Sequence, residues 1–466
     1  MTEINQTIFR KYDIRGKVNK KELNESVIEL IGKGFGTYLG RRGITSIVVG
    51  HDYRSYSEKL KNSLVGGLVS TGAHIIDLGL VLTPMLYYAQ YHFKVKGGAM
   101  VTASHNPNGW SGVKLGSGFS KTMAGDEIQE IYKIIKKEDF RKEQGLVNIR
   151  PIKDVYIEAA TRRVKIKKPL KVVIECGNGT ASFFVSDILK KIGCEVIPIF
   201  CKPDWTFPHH TPDPESQKAK KVLADKVKEV GADLGISYDG DGDRLGVVDE
   251  KGNNVWSDRL LILFARQVLE SRPGSKIIFD VKCTQALPED IKKHGGMPIM
   301  WRTGHSYIKR KLHEEKAALA GERSGHFFLV DEWYGFDDAV FASLRLIEYL
   351  SEQDKPFSEI LRTTPFFDYI ISPTIYIPCS DDKKFQIVEQ LVKDFKKEYG
   401  DKNVIDIDGA RIKFKDGWGL IRASSTEPAL VLLVEAKNQE KFEEIKNILK
   451  NKLSKYSEIG KKWKNE

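Results

Sequence analysis

The chain has 466 residues, too many for one hydrophobic core and enough for roughly three or four domains of ordinary size. Hydrophobic residues make up 41% of it and charged residues 29%, which excludes a disordered or fibrous chain. Lys and Arg exceed Asp and Glu by 74 to 63, a formal charge of +11; the excess is spread along the chain without an aromatic-basic or recognition-helix pattern. It therefore fits a solvated basic surface or a phosphorylated small-molecule partner, and not specific nucleic-acid binding.

Residues Met1 to Arg10 are polar and hold no apolar signal core, and no run approaches the roughly 20 apolar residues of a membrane span. A cytoplasmic protein without a membrane partner is expected. An apolar strand, a loop, an amphipathic helix ending near glycine and a second apolar strand then recur three times. The first copy has strands at Ser46–Asp52 and His74–Leu78 around a helix through Leu60 to Val69. The second has strands at Lys171–Gly177 and Glu195–Ile199, and the third at Lys276–Asp280 and Pro298–Trp301. Continuous apolar strands flanking helices predict sheets covered on both faces, with parallel pairing and right-handed crossovers. After Pro365 the texture changes to short strands, a helix through Phe385 to Tyr399, more strands and a last helix from Glu440 to Leu453, which predicts a smaller α+β domain. The predicted boundaries fall near 150, 255 and 367. Gly32, Gly34 and Gly36 satisfy no nucleotide-loop fingerprint and read as a small-residue packing face of a helix.

Within this frame Thr102-Ala103-Ser104-His105-Asn106-Pro107 presents a serine hydroxyl, a weak nucleophile until a base, a metal or a positive field activates it. Asp239-Gly240-Asp241-Gly242-Asp243-Arg244 presents three carboxylates suited to a hard cation, Mg²⁺ or Ca²⁺. Glu250, the twelfth position when Asp239 is counted as the first, invites an EF-hand reading, which fails because Arg244 replaces the glycine required at the sixth and the flanks read as strands. Serine and acid cluster together point to phosphoryl transfer. Arg244 either neutralises phosphate beside the cation or pairs with an aspartate.

Three further loops carry chemistry. Gly321-Glu322-Arg323-Ser324-Gly325-His326 reads as a sugar-hydroxyl site or as a plain polar turn. Arg422-Ala423-Ser424-Ser425-Thr426-Glu427-Pro428 reads as a phosphate cradle or as a serine-rich turn. Thr303-Gly304-His305-Ser306 follows a strand of the third repeat, where α/β folds place function. The five cysteines, Cys176, Cys194, Cys201, Cys283 and Cys379, lack paired metal-ligand spacing and read as reduced thiols.

These motifs stand in one order with Phe9-Arg10-Lys11-Tyr12-Asp13-Ile14-Arg15-Gly16 and Val281-Lys282-Cys283-Thr284, and the chain thereby resembles the bacterial phosphomannomutase/phosphoglucomutase group of the α-D-phosphohexomutase superfamily over nearly its whole length. The resemblance implies three similar α/β domains with mixed, mostly parallel sheets plus a smaller C-terminal α+β domain around a central cleft. It implies reversible exchange of hexose 1-phosphate and hexose 6-phosphate, mannose or glucose, through a phosphoserine at Ser104 and a hexose 1,6-bisphosphate that is both intermediate and activator. Mg²⁺ is then expected on Asp239, Asp241, Asp243 and the Ser104 phosphate. Glu322 and Ser324 are expected on sugar hydroxyls; Arg422, Ser424, Ser425 and Thr426 on the distal phosphate; and Tyr12, Arg15, Lys114, Arg244, Lys282, His305 and His326 along the cleft. Lys114, His305 and His326 remain equal candidates to carry protons.

Arg323, Ser425 and His51 depart from residues common in this group, and they leave the sugar open. A phosphoglucosamine mutase shares the chemistry. Aspartyl-phosphate hydrolases also place Asp-x-Asp after a strand but want Thr or Val where Arg244-Leu245 stands, and a non-enzymatic Ca²⁺- or nucleic-acid-binding module is the third reading.

Overall fold

The computed structural model describes residues 4–10, 12–330, 333–425, 427–460 and 463–465. The chain forms two compact units, one of residues 1–257, 305–314 and 324–358 and one of residues 258–304, 315–323 and 359–466.

In the first unit, β1 (Ile14–Lys17), β2 (Ser46–His51), β3 (His74–Leu80), β4 (Gly97–Val101), β5 (Trp110–Ser117) and β6 (Val147–Ile149) form one sheet in the order β1-β5-β4-β2-β3-β6. β4, β2, β3 and β6 run parallel to one another, whereas β5 is antiparallel to both β4 and β1. The alternating inward residues Ile47, Val49, Ala99 and Val101 belong to a core that includes Ile28, Ile31, Leu64 and Leu68 of two helices, Glu25–Gly40 and Ser57–Val69. Asn24 starts the first of these helices by accepting the Val27 amide at 3.1 Å, a cap worth about 1 kcal/mol. The Gly32 face serves close packing, as its spacing predicts: a Cβ there would lie 2.4 Å from the Leu64 carbonyl oxygen.

The second sheet of this unit contains β7 (Lys171–Glu175), β8 (Glu195–Ile199), β9 (Leu234–Tyr238), β10 (Leu245–Asp249) and β11 (Asn254–Val255), in the order β11-β10-β9-β7-β8. β7 is parallel to β8 and β9, and β10 is antiparallel to β9. Glu250, past the end of β10, accepts the Ser358 amide at 2.9 Å and hydroxyl at 2.5 Å, so it holds two segments of this unit together and is no EF-hand ligand.

In the second unit β12 (Lys276–Asp280) lies between β13 (Met297–Trp301) and β14 (Leu319–Gly321), parallel to both. β15 (Phe327–Leu329), within the first unit, follows in the chain. The rest of the second unit is an antiparallel sheet of β16 (Ile370–Ile371), β17 (Ile375–Pro378), β18 (Val404–Ile405), β19 (Ala410–Phe414), β20 (Gly417–Ala423), β21 (Ala429–Ala436) and β22 (Lys464–Asn465). Two helices, Lys384–Tyr399 and Gln439–Leu453, share one core with it through Leu391, Phe395, Ile445 and Leu449. The architecture is therefore three α/β sheets, mixed and mostly parallel, and a C-terminal α+β sheet.

The three repeats place their chemistry at equivalent points. In each, a strand parallel to the first strand of the βαβ unit runs into a functional loop: β4 into Ser104, β9 into Asp239–Asp243, β14 into Glu322. These are carboxyl ends of parallel strands, where α/β sheets hold ligands.

Candidate active site

Ser104 sits in the turn between β4 and β5 with φ +50, a left-handed conformation that costs a serine energy and persists only where its surroundings fix it. They do. The Ser104 amide donates to Thr102 Oγ1 at 2.9 Å, and Arg54 Nη2 donates to the carbonyls of Ser104 and Asn106 at 2.9 and 2.7 Å. Arg54 is itself paired with Asp52, whose other oxygen takes the Ser57 hydroxyl at 2.5 Å. Arg15, expected in the site, donates to the Ala103 carbonyl at 3.2 Å and to Asn106 Oδ1 at 2.5 Å, and pairs with Asp13 at 2.6 Å. It thus holds the serine turn.

The acid loop joins β9 to β10. Ser104 Oγ donates to Asp239 Oδ2 at 2.6 Å, while Asp239 Oδ1 accepts the amides of Asp243 and Arg244 at 3.0 and 3.2 Å. Close approach of the two loops requires glycine at 240, where a Cβ would lie 2.3 Å from the Ser104 carbonyl oxygen. Lys114, on β5, donates to Asp241 Oδ2 at 2.7 Å and to Asp243 Oδ2, and Thr83 Oγ1 donates to Asp241 Oδ2 at 2.7 Å.

All three aspartates are 0% exposed, and three buried carboxylates with one ammonium are short of positive charge. Burial first, then the charges of Asp243 and Asp241, hold the Asp239 carboxyl well above its usual range. For Asp241 burial pushes the same way, but the Lys114 charge and the hydrogen bonds from Lys114 and Thr83 outweigh it and hold this carboxyl below its usual range. Lys114 is the mirror case: burial disfavours its charge, and Asp241 and Asp243 more than restore it. Oxygens from the three carboxylates lie within 4.8 Å of one another, and Asp241 Oδ1 and Asp243 Oδ1 are buried with no hydrogen-bond partner among the described residues. An all-oxygen, closely grouped and under-satisfied donor set fits a hard divalent cation.

A second buried group adjoins the first. Arg244 Nε donates to His326 Nε2 at 3.1 Å, so the His326 proton resides on Nδ1, which faces Asp337 Oδ2 at 3.3 Å and Asp243 Oδ1 at 3.7 Å. His305 Nδ1 lies 3.4 Å from the same Asp337 oxygen, and the two imidazoles are stacked with centroids 5.5 Å apart. Lys309 Nζ pairs with Asp337 Oδ1 at 2.8 Å. Burial lowers the His305 pKa to about 4 against the opposing pull of Asp337, so this imidazole is neutral near pH 7. Burial would raise Asp337, yet Lys309 and the two histidines hold it well below its usual range. Its neighbour Asp338, which meets Tyr156, Trp333 and a helix N-terminus but no cation among its main influences, is pushed up by burial to about 7. The Tyr12 ring meets His305 and Tyr307 edge-on, with centroids 6.4 and 5.3 Å away. Arg244 is thus both a neighbour of the acid loop and the partner of a histidine.

The remaining expected residues form a chain of contacts in the second unit. Asp280, at the end of β12, takes the Thr303 hydroxyl at 2.9 Å and has Lys282 Nζ at 3.6 Å. Glu322 Oε1 accepts the Gly304 amide at 2.6 Å. Asp408 Oδ2 accepts both the Thr303 amide at 3.1 Å and Arg422 Nε at 2.9 Å, so the Thr303-Gly304 turn joins Glu322 to Arg422. Ser424 closes its own turn, its amide donating to the Ala429 carbonyl at 2.9 Å and its hydroxyl accepting the Glu427 amide at 3.1 Å. Ser425 is half-buried beside it, and Thr426 lies outside the described residues. Arg323 is buried, its guanidinium on Asp258 Oδ2 at 3.4 Å and the Ser372 carbonyl at 3.1 Å. Ser324, half-buried, belongs to the first unit.

Asp52, Arg54, Thr83, Lys309, Asp337 and Asp408 were not among the expected residues. Asp337-Asp338 before an apolar helical run carried a legible signal, since two adjacent acids there require an N-cap and a cation. Asp52 and Arg54 pair two residues apart, but their contacts with the serine turn, like the contacts of Thr83, Lys309 and Asp408, come from the fold.

A serine in a left-handed turn thus lies against a buried carboxylate loop, on a frame of three α/β sheets and an α+β module. The chain matches Phosphoglucomutase/phosphomannomutase alpha/beta/alpha domains I, II and III over residues 6–142, 154–252 and 256–366, and the C-terminal domain over 375–452. It is 42% identical over 447 residues to a phosphomannomutase/phosphoglucomutase of Pseudomonas putida, covering 96% of this chain and 95% of that one. It is 40% identical over 453 residues to a phosphoglucomutase of Neisseria gonorrhoeae, covering 97% of each. A phosphoglucomutase/phosphomannomutase family protein from Burkholderia thailandensis superposes with a TM-score of 0.91 at 36% identity, over 97% of this chain and 98% of that one. The chain belongs to the phosphoglucomutase/phosphomannomutase family.

Proposed function

We propose that this protein interconverts the 1-phosphate and 6-phosphate of glucose or mannose, with Ser104 as a reusable phosphate carrier. The observation that carries the reading is the Ser104 hydroxyl, fixed in a left-handed turn 2.6 Å from Asp239 at the edge of three buried carboxylates. The phosphoryl group passes from Ser104 Oγ to the free 6-hydroxyl of a hexose 1-phosphate, giving the 1,6-bisphosphate; the 1-phosphate then returns to Ser104 and frees the 6-phosphate. The proton lost by the attacked hydroxyl passes to the neutral imidazole of His305, since the free lone pair of His326 is already taken by Arg244, and a proton returns to the sugar oxygen freed in the second half. Lys114 stays cationic and offsets the charge of Asp241 and Asp243, while Arg244 faces the transferring phosphate from the acid loop.

Asp239, Asp241, Asp243 and the Ser104 phosphate are the proposed ligands of Mg²⁺, which supplies charge neutralisation to the transferring phosphoryl group. Glu322 and Ser324 are proposed to take sugar hydroxyls and Lys282 to line the sugar's path. Arg422, Ser424, Ser425 and Thr426 are proposed to hold the phosphate that is not transferred. Added hexose 1,6-bisphosphate phosphorylates Ser104 and so acts as activator. Turnover of glucose 1-phosphate, mannose 1-phosphate and glucosamine 1-phosphate, each with Mg²⁺ and the matching bisphosphate, tests this: conversion of either of the first two is expected, and turnover of the amino sugar alone overturns the substrate assignment.

A further inference from the structure

Behind the acid loop the second sheet brings two thiols together. β7 and β8 pair in parallel up to Glu175 and Ile199, and a regular continuation would set Cys176 beside Phe200 and turn residue 201 to the opposite face. Phe200 instead has φ +49, a left-handed conformation uncommon for an aromatic residue, and it folds Cys201 back onto Cys176 so that the sulfurs are 2.6 Å apart. The surrounding turn is tied in place. The Asn178 amide donates to the Phe200 carbonyl at 2.7 Å, Asn178 Nδ2 donates to the Lys202 carbonyl at 2.8 Å, and His209 stacks on the Phe200 ring at 3.7 Å. Cys176 is buried and Cys201 half-buried, while Cys194 lies at the other end of β8.

We propose that Cys176 and Cys201 are a reversible modification site that closes to an intrachain disulfide by exchange with a low-molecular-weight disulfide. The Cys201 thiolate attacks one sulfur of the small disulfide, forming a mixed disulfide and releasing one small thiol. Cys176 then displaces the second, closing the Cys176–Cys201 bond. Two protein thiols are oxidised, one small disulfide is reduced to two thiols, and the protons leave on those thiols. Cys201 enters first because it is the more accessible, and burial holds the Cys176 thiol well above its ordinary pKa.

The pair abuts the acid loop. The Gly179 amide donates to the Cys176 carbonyl at 2.8 Å, the Thr180 amide donates to the Gly240 carbonyl at 3.3 Å, and the Tyr53 amide donates to Thr180 Oγ1 at 3.0 Å. The disulfide therefore clips the turn on which Gly240 leans. Because the turn at Phe200 already holds the sulfurs together, closure leaves this backbone nearly in place and steadies the folded state.

The reduced full-length protein, treated while folded with excess oxidised glutathione, tests the proposal by thermal melting and, after unfolding in denaturant and alkylation of the remaining thiols, by intact mass and peptide mapping. The expected result is a loss of two hydrogens, alkylation of three of the five cysteines, a linked Cys176–Cys201 peptide and a raised melting temperature, all reversed by dithiothreitol. Five alkylated cysteines, a lasting glutathione adduct on Cys201, or a link through Cys194 would each overturn it.

Discussion

Replacing Gly240 by alanine tests whether the contact between the serine turn and the acid loop sets the rate. The added Cβ would lie 2.3 Å from the Ser104 carbonyl oxygen and 3.1 Å from its carbonyl carbon. Since non-bonded carbon and oxygen settle at about 3.2 Å or more, one loop must retreat by roughly 1 Å. Backbone atoms line the contact, so no flexible side chain can give way. Overpacking of this kind costs about 1–3 kcal/mol of stability, and a displacement of roughly 1 Å between reacting groups costs about 100-fold in rate. Gly240→Ala is therefore expected to keep its fold, melt earlier and lose about 100-fold in kcat with glucose 1-phosphate, with Ser104 phosphorylation by glucose 1,6-bisphosphate slowed alongside. Gly66→Ala, on an exposed helix face with nothing within 4 Å of the new Cβ, serves as control and should keep its kcat and gain up to about 1 kcal/mol. A Gly240→Ala enzyme that phosphorylates Ser104 and turns over at the wild-type rate would refute the role given to this contact.

Arg323→Met leaves Asp258, 0% exposed, without its guanidinium. A loss of about 3 kcal/mol is expected, read as an earlier thermal melt than that of an Arg323→Lys enzyme. The pKa of His305 falls from 6.5 unfolded to about 4 folded, so below pH 6.5 the unfolded chain binds the extra proton first. Stability should decline as pH drops across that window, by about 3 kcal/mol from this residue, and His305→Asn should flatten the decline in a series of melts; an unchanged slope would exclude His305 as its source. Chelation with EDTA should abolish turnover, with Mg²⁺ restoring it and melting temperature rising on Mg²⁺ addition to wild type but not to Asp241→Asn.

Much of the site was legible because its parts are local. Ser104 and the Asp239–Asp243 loop each declare their chemistry within six residues, and the strand-helix-strand repeats place those loops at strand ends. Lys114 meets Asp241 across 127 residues and Thr83 meets it across 158, so no window of sequence holds either pairing. Arg54 and Asp52 look like surface charges until the fold buries them against the serine turn, and Asp337 looks like half of an N-cap until Lys309 and two histidines converge on it. Arg323 shows the converse: within a motif read as sugar-binding, its side chain is spent on Asp258 inside the second unit. The Cys176–Cys201 pair was hidden for another reason, since the left-handed turn at Phe200 overrides the alternation of the strand.

The central claim is that Ser104 carries the phosphate. Reacting the enzyme with glucose 1,6-bisphosphate labelled in its phosphates, then mapping the label by peptide mass spectrometry, tests it most directly. Label on Ser104 that chases into sugar phosphate when glucose 1-phosphate is added, and that is absent from Ser104→Ala together with turnover, is the predicted result. Label on Asp239, Asp241 or Asp243 with Ser104 unmodified, or normal turnover by Ser104→Ala, would contradict it.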